Sequence, residues 1–312
     1  MALAFVRKRE EMARKIILGT RGSKLALKQA EKVVEALTDA FSVEVEVKTV
    51  KSFGDIVQDR ALYEMPTRGV FVKKLDALLI SRKIDMAVHS MKDIPLERPP
   101  SLETAAVLPR DAPYDVLVSN GSVEEMPDGA VVGTSSVRRR LQMLHRFPVN
   151  VKDIRGNVDT RLRKLRNGEY DAIILAEAGI QRLGLEVNCK RLCGEPFVPA
   201  PNQGIIAVVS RLNSKESEML REIDDAETRA EASTEEEVLR ILGGGCATPV
   251  GVLAKATKSE IELEVYVGIS PEKYIYKELK VRRDEGYMEK VREFAMKVKS
   301  MKDEIVRNET KS

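Results

Sequence analysis

Between Ile84 and Pro95 the chain reads Ile84-Asp85-Met86-Ala87-Val88-His89-Ser90-Met91-Lys92-Asp93-Ile94-Pro95. His89, Ser90, Lys92 and Asp93 can move protons or hold anions, and they crowd together directly after a short apolar run. Pro95 stops any regular continuation. Ligands of open α/β sheets bind beyond the carboxyl ends of strands. The cluster therefore reads as the rim of a site with Asp93 at its tip. An ordinary charged surface turn has the same composition, and this stretch alone does not separate the two.

Arginines form the second set. Gly19-Thr20-Arg21-Gly22-Ser23 and Gly133-Thr134-Ser135-Ser136 each follow an apolar run and precede a helical pattern, the latter opening at Val137-Arg138-Arg139-Arg140. Helix N-termini carry unpartnered N–H groups and a positive dipole end, so they attract anions. Ser23, Thr134 and Ser136 fit plain N-caps. Arg21, Arg138 and Arg139 do not fit a positive helix end unless an anion offsets them. From Gly133 to Arg166 there are eight arginines and two lysines against two aspartates. Arg155 and Arg161 flank a further helix start at Arg155-Gly156-Asn157-Val158. Arginine suits bidentate carboxylate or phosphate recognition. RNA binding would need aromatics among the cations, and this stretch offers only Phe147 and His145, so a small anionic ligand fits better than nucleic acid.

Cys246 follows Gly243-Gly244-Gly245, where missing side chains let a ligand approach the backbone. It is either a modifiable thiol or an incidental residue on a glycine hinge. Cys189 and Cys193 read as buried, inert thiols. No set of cysteines and histidines suits a metal.

The elements that must carry these residues follow from periodicity. Strands are expected at 15–18, 43–47, 84–88, 130–132, 169–174 and 205–209, with helices at 24–38, 70–80, from 137, and after Asn157. Residues 51–69, without periodicity and highly charged, read as a lid-like loop. Two echoes appear: the paired Gly-Thr turns, and Lys83-Ile84-Asp85-Met86-Ala87-Val88 beside Glu169-Tyr170-Asp171-Ala172-Ile173-Ile174. They point to two α/β lobes of related build with a central cleft. From residue 220 onward a helix at 226–242, three strands and a last helix at 286–306 form a small α+β domain.

At 312 residues, several domains are expected. The formal net charge of +3 excludes a general polyanion binder. Three cysteines make no disulfide framework, which suits a reducing cytoplasm. Residues 1–14 show no apolar core of signal-peptide length and read as a frayed extension, with Met12 a possible start. No run has the length of a membrane span, and no exposed apolar stripe argues against a monomer.

The chain resembles the porphobilinogen deaminase (hydroxymethylbilane synthase) family. The resemblance rests on residues 19–27, 71–75, 85–95, 133–139, 155–162, 171–184, Pro201-Asn202-Gln203-Gly204 and 242–251, in order along the chain. His-Ser-Met-Lys-Asp-Ile-Pro and Leu-Gly-Gly-Gly-Cys-Ala-Thr-Pro-Val-Gly are its most specific parts. It implies two periplasmic-binding-protein-like lobes plus the C-terminal α+β domain, divided as 15–108 with 199–219, 109–198, and 220–312. It implies an enzyme that joins four porphobilinogen molecules head to tail, releases ammonia at each step, and hydrolyses off linear hydroxymethylbilane. It also implies a dipyrromethane cofactor held by a thioether at Cys246, with Asp93 as catalytic acid. Lys92, Ser136, Arg138, Arg139 and Arg161 would hold the cofactor, and Arg21, Ser23, Arg68, Arg155 and Arg182 the substrate. In the family a glycine-rich stretch often precedes the helix at 70, where this chain has Pro66-Thr67-Arg68-Gly69. The alternative reading is a non-catalytic two-lobed binding or sensor protein for an anionic metabolite.

Overall fold

Apolar residues at helical spacing and alternating strands sort the first part of the chain into β1 (Arg14–Arg21), α1 (Lys24–Ala40), β2 (Val43–Val50), α2 (Val70–Ile80), β3 (Met86–Ser90) and β4 (Leu102–Val107). A computed structural model describes residues 14–50, 70–121, 126–243 and 249–309. Its contacts divide the chain into two units, Met1–Pro109 with Ile205–Ala226, and Arg110–Gly204 with Glu227–Ser312.

In the first unit, strand Ile206–Arg211, the tenth in chain order and so β10, completes a sheet of order β2-β1-β3-β10-β4. β1 runs parallel to β2 and β3, while β10 is antiparallel to β3 and β4. Both faces of β1 are covered: Ile16 and Leu18 pack with Ala30, Val33 and Leu37 of α1, and Ile17 lies against the Leu75, Leu79 and Ile84 cluster. A strand buried on both faces must be apolar at every position, which is why this one does not alternate. The Ser23 Oγ accepts the Ala26 N–H at 3.3 Å and starts α1.

The second unit repeats the plan with β5 (Asp115–Ser119), β6 (Val131–Gly133), α3 (Val137–Arg146), β7 (Asn150–Lys152), α4 (Val158–Arg166), β8 (Ala172–Ala176), α5 (Glu177–Arg182) and β9 (Cys189–Leu192). Its sheet has the order β7-β6-β8-β5-β9, with β6 parallel to β7 and β8, and β5 antiparallel to β8 and β9. Strand for strand this is the first sheet again, and the echo in the sequence falls on equivalent positions. Asp85 accepts the Ile17 N–H at 2.9 Å while its own N–H donates to the Ile17 carbonyl at 2.8 Å. Asp171 does the same with Val131, at 2.7 and 2.9 Å. An aspartate just before the central strand thus locks its neighbour in both sheets.

After α6 (Lys215–Arg221), α7 (Ala226–Ile241) leads into the antiparallel sheet β11 (Val250–Ala256), β12 (Glu260–Ser270) and β13 (Lys273–Arg282), and α8 (Tyr287–Glu309) closes the chain. Val238, Val252, Leu263, Val265, Ile275, Val291, Ala295 and Val298 form its core.

Three expectations change. The strand expected at 84–88 runs from Met86 to Ser90, so His89 is a buried sheet residue and not part of a polar rim. Strand β1 extends through Arg21, because β2 pairs with it to Val50. Cys189 and Cys193 are exposed, not buried: Cys189 opens β9, the edge strand, whose first three residues face solvent. The 51–69 loop with Arg68, residues 1–13, and Cys246 lie outside the described residues.

Candidate functional site

At the carboxyl end of β3 the chain turns through one 3-10 turn, Met91–Asp93. Buried Met91 anchors it, donating its N–H to the Ile205 carbonyl at 3.0 Å. The Ser90 Oγ accepts from Gln29 Nε2 at 2.7 Å. With the start of the turn held, Lys92 is half-buried and Asp93 is exposed. Parallel pairing of β1 with β3 puts Arg21 and Ser23 on this same edge of the first sheet.

His89 does not order the turn, as its place in the motif could suggest. Its Nε2 is buried without a hydrogen-bond partner. Burial first, then the charges of Arg98 and Arg21, push its pKa down to about 3. At neutral pH it is therefore an uncharged core residue.

On the second sheet, β6, β7 and β8 are parallel, so their carboxyl ends share an edge and the segments after them share its surroundings. Ser136 and α3 follow β6, Arg155 and α4 follow β7, and α5 with Arg182 follows β8. The Ser136 Oγ accepts the Arg139 N–H at 3.5 Å. The antiparallel β5 brings its first residue, Asp115, level with Ala176 at this edge. Asp115 pairs with Arg138 Nη2 at 2.9 Å and Arg139 Nη2 at 2.6 Å. Burial would raise its carboxyl, but Arg138 and then Arg139 outweigh this, and its pKa falls well below the usual carboxylate range.

The cations at this edge are thus partly offset from within, which the sequence did not suggest. The offset is incomplete. Arg138 and Arg139 share the one carboxylate, and the Arg139 Nε is buried with no acceptor among the described residues. Arg161 donates from Nε to the Gly156 carbonyl at 2.8 Å, and burial, then Arg139 and Arg155, lower its pKa to about 10. Arg155 is exposed and makes no ion pair among the described residues. Four guanidinium groups stand against one buried carboxylate, and such a surplus lacks an anion. Arg182 is different: it bonds Asp111 at 2.7 Å and the Gly204 carbonyl at 2.6 Å.

The structure therefore brings Ser136, Arg138, Arg139, Arg155 and Arg161 to one edge of the second sheet, and Arg21, Ser23, Lys92 and Asp93 to one edge of the first. Asp111, Asp115 and Gln203 were missed. The available signal for Asp115 is an acidic residue heading the apolar run Val116-Leu117-Val118, all of it buried.

Comparison with known proteins gives a family profile described as "Porphobilinogen deaminase, dipyromethane cofactor binding domain" over residues 16–219, and "Porphobilinogen deaminase, C-terminal domain" over 229–300. Among curated relatives named "Probable porphobilinogen deaminase", the one of Methanocella arvoryzae is 50% identical over 249 residues, covering 79% of this chain and 82% of that protein. That of Archaeoglobus fulgidus is 47% identical over 275 residues, covering 86% and 93%. Among solved structures, an ancestral cationic amino acid solute binding protein aligns at 14% identity with a TM-score of 0.42, covering 72% of this chain and 92% of that one. YhfZ from Shigella flexneri aligns at 15% identity with a TM-score of 0.37, covering 76% and 94%.

Proposed function

The chain belongs to the porphobilinogen deaminase family, and we propose that Asp93 and the arginines of the second sheet edge carry that family's chemistry here. The reaction is stepwise head-to-tail condensation of four porphobilinogen molecules with loss of ammonia, followed by hydrolytic release of linear hydroxymethylbilane. The alternative of a non-catalytic binding protein fails against this membership. The observation that carries the residue assignment is the cation surplus around Asp115, with the Arg139 Nε left without an acceptor.

Those residues fit a dipyrromethane cofactor, whose side chains end in carboxylates. Bound, it supplies a pyrrole carbon as the starting nucleophile for chain growth. Cys246 is its proposed anchor. Arg139 and Arg161, with Ser136, would donate to its carboxylates, and Lys92 is assigned to cofactor binding by its place in the family motif. Arg138 would act in cofactor binding from its place beside Asp115, behind Arg139. Arg155, exposed and without an ion pair among the described residues, would meet substrate carboxylates, as would Arg21, Ser23 and Arg68. Arg182 would act in substrate binding from its fixed place beside Asp111.

Asp93 is the proposed acid. Each condensation must protonate a departing amine and remove a proton from the attacked pyrrole carbon, and one carboxyl can do both in turn. As a carboxylate it would also stabilise the positive charge left on the substrate when ammonia departs. Its place on a turn anchored by Met91 and Ser90 gives it a fixed base and an exposed tip.

We also assign the finer organisation as two lobes, 15–108 with 199–219 and 109–198, and a third domain, 220–312, in a monomer of the cytoplasm. No described helix is long and apolar enough to cross a membrane. Incubation of the purified protein with porphobilinogen tests the reading. Release of ammonia with formation of hydroxymethylbilane is expected, and binding of porphobilinogen without ammonia release would overturn it.

A further inference from the structure

Consecutive helical residues point roughly 100° apart, so Arg138 and Arg139 have no intrinsic reason to act together. One carboxylate gathers them. One oxygen of Asp115 accepts from Arg139 Nη2 at 2.6 Å and from Gln203 Nε2 at 2.8 Å. The other pairs with Arg138 Nη2 at 2.9 Å. Gln203 Nε2 also donates to the Pro113 carbonyl at 2.7 Å, which fixes the carboxylate from its own strand. Beyond Asp115 the two arginines part. Arg138 Nη1 donates to Gln142 Oε1 and the Val198 carbonyl, both at 2.8 Å, and turns inward. Arg139 Nη1 donates to the Ile174 carbonyl at 3.1 Å, and its Nε edge is left without an acceptor.

We infer that Asp115, braced by Gln203, is a positioning residue for cofactor binding that presents the Nε edge of Arg139 and holds Arg138 as its inner support. A carboxylate placed only to neutralise would face one buried guanidinium. This one faces two, and so leaves a directed surplus of charge. Its position follows from topology, since only an antiparallel strand beside β8 places its first residue at the edge where α3 begins. The inference rests on the reading that Arg139 binds a carboxylate of the cofactor.

The test compares Asp115→Asn, Arg139→Lys and the double variant, each purified folded and measured by intact mass for the fraction carrying cofactor, with melting temperature as a separate readout. Lysine keeps charge but loses the Nε edge. Asp115→Asn is expected to reduce loading about tenfold, the scale of one misdirected charge-assisted bond. The double variant is expected to load no worse than Arg139→Lys alone, because both changes remove the same contact. Normal loading of Asp115→Asn beside poorly loaded Arg139→Lys would overturn the inference alone, whatever the melting temperature. Normal loading of Arg139→Lys would overturn the reading of the site and the inference with it. Should Asp115→Asn not fold, Gln203→Leu keeps both ion pairs and removes the brace, with its bonds to Asp115, to the Pro113 carbonyl and to Arg139 Nη2. It is expected to reduce loading about threefold, the scale of one lost hydrogen bond to the carboxylate, and unchanged loading in it would count against the inference equally.

Discussion

Asp93 and His89 lie in one short motif and have opposite fates, and the difference is burial. Asp93 stands exposed on the 3-10 turn, where it can meet substrate, and Asp93→Asn keeps its shape while removing the proton. We expect that variant to fold and to carry cofactor, with turnover lower by about a hundredfold to ten-thousandfold, the usual worth of general acid–base catalysis. Near-normal turnover would remove Asp93 from the role. His89 titrates near 6.5 when unfolded and near 3 when folded, because burial and two arginines disfavour its charge. Its contribution to stability is therefore complete above pH 6.5 and is lost as pH falls toward 3. Over that window unfolding free energy should fall by up to about 1.4 kcal/mol per pH unit from this group. His89→Leu should flatten that slope in denaturant titrations, and an unchanged slope would show that other groups set it. In the sequence the two residues look alike, since nothing local says that the strand continues through Ser90. That follows from pairing with β10, whose residues lie more than a hundred positions later.

At the scale of elements, much was legible. The helix at 70–80 stands where periodicity puts it, because it buries one regular face, and the paired Gly-Thr turns lead into α1 and α3 as their spacing implies. The ties across sequence were not legible. Arg110 donates to Glu235 at 2.7 Å and to the Gln203 carbonyl at 2.9 Å, and Glu235 also accepts the N–H groups of Ala254 and Asn202. Glu235 is fully buried, and this one carboxylate joins α7, β11 and the loop before β10. Glu235→Ala would leave two buried N–H groups without their acceptor and Arg110 with Glu231 as its remaining carboxylate, and should destabilise by about 2–5 kcal/mol. Denaturant unfolding measures this, and a loss under 1 kcal/mol would contradict the tie. The same loop explains Pro-Asn-Gln-Gly. Asn202 has φ 62° and Gly204 φ 91°, and a Cβ on Gly204 would run into the Asp111 carbonyl. Gly204→Ala should therefore lower stability by about 1–3 kcal/mol, whereas Asn202→Gly should cost little.

At the scale of the molecule, two sheets of identical strand order each present polar and basic residues at the carboxyl ends of their parallel strands. The first edge bears the exposed acid and the second bears the arginine surplus. Charge counting over the whole chain hides this, since +3 is spread across many balanced surface pairs. Among the described residues, the edge around Asp115 concentrates cations beyond their partners. The proposed anchor, the Cys246 thiol, rests on the resemblance carried by the motif at 242–251 and not on physics.

The central claim is that condensation proceeds on a cofactor bound covalently at Cys246, and intact-mass measurement of the purified wild-type protein and of Cys246→Ser addresses it directly. The wild type should exceed its polypeptide mass by a dipyrromethane unit, and Cys246→Ser should match its bare polypeptide and lack turnover. A wild-type protein that is active at bare polypeptide mass would contradict the account.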